Sequence, residues 1–189
     1  MKPLYIALAI VALAGCSANS HPAVPRPEAA AIHLAACTGP AMTLPDSLAR
    51  RLPPRNGHRM PDDQWADLAA TVPGGFAGFF SDSTHTPILM LTEPAQAAAA
   101  QRALAGKIWV PPTAIARQAR WNFAQLVDWF DYIVPRITVG PASADNDESI
   151  NRIHLRTSSV AVRDSIVRVL ASLPLPCDLV VVDLSGGVL

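Results

Sequence analysis

Two stretches of this chain share one grammar, and any fold must accommodate it twice. Ile88-x-Met90-x-Thr92 returns as Ile153-x-Leu155-x-Thr157, and a helix-length segment follows each run. Period-two alternation of this kind predicts a strand with one buried face, while the segments after it change to helical spacing. The first helix is expected over Ala95–Leu104, with Thr92-Glu93-Pro94 capping and opening it and Gly106 ending it. The second is expected from about Val160 to Leu173, with Val160, Ile166, Val167 and Leu170 on its apolar face. Pro174 and Pro176 then bar its continuation.

The flanking sequence completes each unit. Phe76–Ser81 and Pro87–Thr92 are β-prone runs joined by the hairpin-type connection Asp82-Ser83-Thr84-His85-Thr86. Ala114–Trp121 is assigned as the first unit's closing strand, and Leu179–Val182 reads as the buried closing strand of the second. Between the units, Asn122 and Gln125 form a capping box, so a helix is expected from Phe123 with Phe123, Leu126, Phe130 and Ile133 buried and Pro135 as its limit. Upstream, Asp62 and Asp63 suit a helix N-terminus, Trp65, Leu68 and Ala69 keep helical spacing toward Val72, and Pro73-Gly74-Gly75 stops that helix. Gly74-Gly75-Phe76-Ala77-Gly78 precedes a strand, so it reads as a turn with close packing and not as a phosphate loop. The expected class is α+β: two β-hairpin–helix–strand units with a connecting helix and an N-terminal helical segment.

The start of the chain speaks of location. A basic Lys2 precedes an apolar run from Leu4 to Leu13, the length of a signal-peptide core and too short to span a bilayer. Leu13-Ala14-Gly15-Cys16 resembles the lipobox of bacterial lipoproteins. That resemblance implies cleavage before Cys16, a diacylglyceryl thioether on its sulfur and acylation of the new amino terminus. Several acyl chains make a durable membrane anchor. Ser17 follows, where lipoproteins held in an inner membrane often carry aspartate, so an outer leaflet or an outer membrane is the expected destination. The expected organisation is a signal peptide over 1–15, a lipidated proline-rich tether over 16–31, an irregular and helical segment over 32–73, and the duplicated domain over 74–189.

Two further cysteines, Cys37 and Cys177, form an even pair in an exported chain and read as a disulfide; two separate thiols are the alternative. The bridge would close a loop of roughly 140 residues and contribute at most about 5 kcal/mol in the chain-entropy picture. No Cys-x-x-Cys occurs, so thioredoxin chemistry and a zinc ribbon are not suggested.

The formal net charge is zero, which offers no global field for nucleic acid. Arg50, Arg51, Arg55, His58 and Arg59 could meet phosphate or lipopolysaccharide headgroups, and a solvated loop answering Asp62 and Asp63 is the plainer reading. The chain has no Gly-x-Ser-x-Gly elbow, His-Glu-x-x-His helix, dinucleotide fingerprint or P-loop. Asp82, Ser83 and His85 could be imagined as a hydrolytic trio, but three polar residues in one hairpin loop are ordinary turn chemistry. His21, His33, His58 and His154 lack metal-ligand spacing, and Asp145, Asp147 and Glu148 lack the glycine-centred pattern of a calcium loop. That acidic cluster reads as a turn before a strand over Ile150–Arg156. Trp121, Trp129 and Tyr132 could box a ligand and are expected to pack between lobes.

The order of elements resembles the prodomains of secreted chymotrypsin-like bacterial proteases, the alpha-lytic protease and streptogrisin group, over roughly residues 74 to 185. The likeness is carried by Phe76-Ala77-Gly78-Phe79-Phe80-Ser81-Asp82, Ile88–Thr92, the alanine-rich helix, Asn122-Phe123-x-x-Leu126, and Asp147-x-x-x-Asn151-x-Ile153-x-Leu155. It implies a folding catalyst or inhibitor without catalytic side chains, engaging its protease through a sheet face and a C-terminal tail. No protease domain follows Leu189, so such an activity would act in trans, and Ser185–Leu189 would be the tail. The functional expectation is therefore a membrane-anchored envelope lipoprotein that acts as a non-enzymatic interaction or accessory protein. A prodomain-like inhibitor or folding helper and an envelope hydrolase using His85 or a carboxylate of 145–148 are the alternatives. No cofactor and no nucleic acid are expected; the expected partners are the membrane, through the anchor, and a protein.

Overall fold

The computed structural model describes residues 32–33, 42–49, 61–140 and 142–184. Strands β2 (Phe76–Ser81) and β3 (Pro87–Leu91) pair antiparallel, the chain crosses through a helix α3 (Ala97–Leu104), and β4 (Ile115–Gln118) returns parallel to β3. The second unit repeats this with β5 (Ser143–Asp147), β6 (Arg152–Arg156), helix α5 (Val160–Ala171) and β7 (Val180–Asp183). Ile88 lies opposite Ile115 and Ile153 opposite Val180, so both crossovers step 27 residues. A short strand β1 (Ile32–His33) adds antiparallel to β7, giving sheets of order β2-β3-β4 and β1-β7-β6-β5. The fold is α+β, with the closing strand of the first unit inside the span assigned to it.

Helix α4 (Phe123–Ile133) is the wedge between the units. Its capping box is complete: the Gln125 amide donates to Asn122 Oδ1 at 2.9 Å, and the Asn122 amide donates to Gln125 Oε1 at 3.0 Å. The helix buries two faces instead of the single one expected. Phe123 and Val127 enter the first core with Phe76, Leu89, Leu91 and Leu104, while Leu126, Trp129 and Ile133 enter the second with Ile153, Leu155 and Ile166. Trp129 takes the fully buried place expected for Phe130, which is only half-buried. The segment before residue 74 is integral to both cores. Helix α1 (Asp46–Ala49) and Leu44 pack on the second, and helix α2 (Pro61–Thr71) packs Leu68 and Ala69 into the first together with Val72 just after it.

Two local details depart from expectation. Thr92 does not cap the following helix: its hydroxyl donates back to the Gly74 carbonyl at 3.2 Å, and Pro94–Gln96 forms a 3-10 turn before α3 begins. Asp145 and Asp147 lie in a strand, not a turn, and only Glu148–Asn151 turns. The units also meet directly at Gly78, whose φ of +128° and lack of a side chain let Glu148 lie over β2; a Cβ there would come 2.5 Å from the Glu148 Cβ.

Candidate functional site

Register decides which side chains share a face, because partners in adjacent strands point the same way. In the second sheet, Ile153 and Leu155 face the core together with Val180 and Val182. Their neighbours Arg152, His154 and Arg156 must face outward, and Asp145, Asp147 and Asp183 join them from β5 and β7. One sheet face thus gathers alternating positive and negative groups.

Asp147 is its hub. Its Oδ1 accepts from the Ser149 hydroxyl at 2.5 Å and from the amides of Ser149 at 3.0 Å and Ile150 at 3.4 Å. Its Oδ2 lies 3.1 Å from His154 Nδ1 and accepts from Arg156 Nη2 at 3.1 Å. Burial pushes this carboxyl's pKa up, but the bonds from the Ser149 hydroxyl, His154 and the Ile150 and Ser149 amides outweigh it, and the net shift is downward. Arg156 Nη2 also lies 2.7 Å from His154 Nδ1. Since Arg is only a donor, a bare Nδ1 accepts from Arg156, whereas a protonated Nδ1 donates to Asp147. His154 Nε2 is buried, with the Asp183 carboxylate 3.8 Å away, beyond hydrogen-bond reach. At the strand's start, Arg152 bonds Asp178 and donates to the Asn151 carbonyl at 2.7 Å.

Ser149, Asp147 and His154 are the residue types of a hydrolytic triad in the wrong order. Nucleophile activation needs the imidazole between hydroxyl and carboxylate. Here the carboxylate sits between them, so the Ser149 proton is committed to Asp147. Glu148, next along, has its pKa raised, first by burial; a bond to its own backbone opposes this, and the Asp147, Asp145 and Asp62 charges add to it. Among the described residues no group of three or more His, Cys, Asp or Glu side chains is placed to hold a metal ion.

The other candidates separate. Asp82 accepts from the Thr84 hydroxyl at 2.6 Å and from the Thr84 and Thr86 amides at 2.9 and 3.0 Å, and it also faces Arg117 at 3.2 Å. These bonds, the Thr84 hydroxyl's first, lower its pKa; they build a turn with His85 at φ +62° and assemble no hydrolytic trio. Trp121, Trp129 and Tyr132 are buried in the second core, and Trp129 Nε1 donates to the Met42 carbonyl at 2.9 Å. Cys177 is disulfide-bonded and sits in the turn before β7. Cys16, Cys37, His21, the basic residues at 50, 51, 55, 58 and 59, and the tail 185–189 lie outside the described residues.

The network around His154 escaped sequence reasoning. Its signal was the Arg152-x-His154-x-Arg156 alternation interleaved with Ile153 and Leu155, which already placed three polar side chains on one face. Among the described residues no helix is long and apolar enough to cross a membrane. No protein family, curated protein or solved structure matches the chain.

Proposed function

We propose that this chain is a lipid-anchored envelope protein that acts by binding another protein and performs no chemistry of its own. The observation that carries this reading is the order Ser149–Asp147–His154, in which the carboxylate separates the hydroxyl from the imidazole. Such a face presents fixed charges of both signs, which suits recognition of a complementary surface.

A narrower reading follows from the repeated hairpin–helix–strand order and its equal 27-residue crossovers. They accord with the prodomain resemblance and support an inhibitor or folding helper of a secreted serine protease, acting in trans. The anchor is the acylated Cys16. The bridge is Cys37 to Cys177, a reading supported by the disulfide-bonded state of Cys177.

The deciding experiment mixes the full-length protein with the secreted serine proteases of its own organism and measures both inhibition and recovery of activity after denaturation. Inhibition or accelerated refolding that weakens in Arg156→Ala supports the narrower reading. If neither effect is seen with any of them, that reading is abandoned. Intact mass of the membrane-extracted protein tests the covalent part: a mature chain starting elsewhere than Cys16 removes the anchor.

A further inference from the structure

The first unit carries a different surface chemistry at the end of α3. Trp109 is 78% exposed and Ile115 is 53% exposed. They flank a turn in which the Ala114 amide donates to the Pro111 carbonyl at 2.9 Å. Ile108 and Val110, on either side of Trp109, pack against the first core, so the loop is pinned and the indole stays outside. The other tryptophans are engaged: Trp121 and Trp129 are fully buried, and Trp65 meets Phe76 and Phe123 edge-on.

The stretch of chain that carries the loop has charge of one sign. From Pro94 to Val127 the chain has no Asp or Glu, but it carries Arg102, Lys107, Arg117 and Arg120. Arg117 is answered by Asp82 across the sheet. Arg102 and Lys107 are exposed. A projecting indole on a stretch with exposed cations is the composition proteins place at the headgroup layer of a bilayer, where anionic lipids add electrostatic attraction. A protein-binding hot spot instead sits in a broad patch that seals it from water. Along the chain Trp109 is preceded by exposed Lys107 and followed by exposed Pro112 and Thr113, with Ile115 the one other exposed large apolar residue of the loop.

We infer that the Trp109 loop is a membrane-contact site, its indole entering the headgroup layer of an anionic bilayer while Arg102 and Lys107 face lipid phosphates. The contact belongs to the folded domain and does not depend on acylation of Cys16. With an anchor it would fix which side of the domain faces the membrane.

The test uses the full chain carrying Cys16→Ser, which cannot be acylated at that sulfur, and vesicles of phosphatidylglycerol and phosphatidylcholine with brominated tails. Binding, a blue shift and quenching of tryptophan emission are expected with anionic vesicles and not with phosphatidylcholine alone. Trp109→Phe should abolish the quenching, because the remaining indoles are engaged in the fold. Lys107→Gln should weaken binding about five-fold, the effect of one charge near such a surface. Absent vesicle binding, or quenching that survives in Trp109→Phe, overturns the inference. So does protection of Trp109 from aqueous quencher by a soluble envelope protein without vesicle binding, which would assign the loop to a protein partner. Because Trp109 is on the surface, unchanged near-ultraviolet circular dichroism verifies the fold of each variant.

Discussion

The two hairpin turns of this molecule start from the same chemistry and end with different roles. In the first, Asp82 Oδ1 accepts from the hydroxyl and amide of the residue two positions on, Thr84; in the second, Asp147 Oδ1 does the same with Ser149. Each aspartate turns its other oxygen to an arginine, Arg117 or Arg156. Each turn also holds one non-glycine residue in the left-handed region, His85 at φ +62° and Asn151 at φ +54°. What differs is cover. The first turn is exposed and works as a turn alone, whereas the second is pressed against the other unit and becomes a joint. Placement within the fold, not the local motif, decides whether a polar residue becomes structural.

The strongest way to break this comparison is to alter the two left-handed residues. Asn151 is 3% exposed, its Oδ1 accepting from the Arg120 and Trp121 amides at 2.7 and 2.8 Å and its Nδ2 donating to the Trp121 carbonyl at 2.9 Å. Asn151→Ala strands these backbone groups and keeps a side chain in a disfavoured conformation. A loss of roughly 3 kcal/mol is expected, seen as a lower urea midpoint. Asn151→Gly loses the same hydrogen bonds but tolerates the left-handed backbone, so the gap between the two variants measures the strain share. The exposed His85→Ala should change stability by no more than about 0.5 kcal/mol. Equal losses at the two positions would dissolve the distinction between turn and joint.

Much of this was legible in the chain. The Ile88 and Ile153 alternations, the capping box at Asn122 and the Asp62–Asp63 helix start are local signals, and each element forms from them. Ser143–Asp147 was not legible as a strand, because Ser-Ala-Asp-Asn-Asp has no β-prone residue. It pairs because β6 satisfies its backbone and because Ala144 and Asn146 fall opposite Leu155 and Ile153, on the core face. Thr92 was misread because its hydroxyl, expected to accept from helix amides, instead donates to the Gly74 carbonyl, which at 18 residues away is invisible to local pattern. The charged site was half-legible. Its own strand shows Arg, His and Arg on one face, but Asp147 and Asp183 reach it only through the register of three strands.

A middle-sized effect separates the two aspartates. Asp147→Ala removes the acceptor of the turn and leaves His154 and Arg156 without their shared carboxylate, and a loss of about 2 kcal/mol is expected at pH 7. Asp82→Ala, in a solvent-exposed turn, should cost clearly less. Urea denaturation of both variants under one buffer checks the order, and a reversed order would mean that cover does not set the worth of these turns.

The smallest effect sharpens the comparison through pH. Residue 148 follows Asp147 as Ser83 follows Asp82, so only the second turn places a carboxyl there. The folded-state pKa of Glu148 lies above its ordinary 4.5, so its contribution is present below that value and is lost as pH rises through the raised one. Asp147 runs the other way. Its folded pKa lies below 3.8, so its stabilisation is present above that value and disappears as pH falls through the lowered one. Glu148→Gln cancels only the first of these trends. The variant should exceed the wild type in stability at pH 7 by less than about 1 kcal/mol, since solvent screens a half-buried group. The gap should narrow as pH falls toward 4.5, while Ser83→Ala should leave the pH profile unchanged. A Glu148→Gln gap that is constant from pH 4 to pH 8 would show that repulsion and burial at residue 148 do not govern the joint.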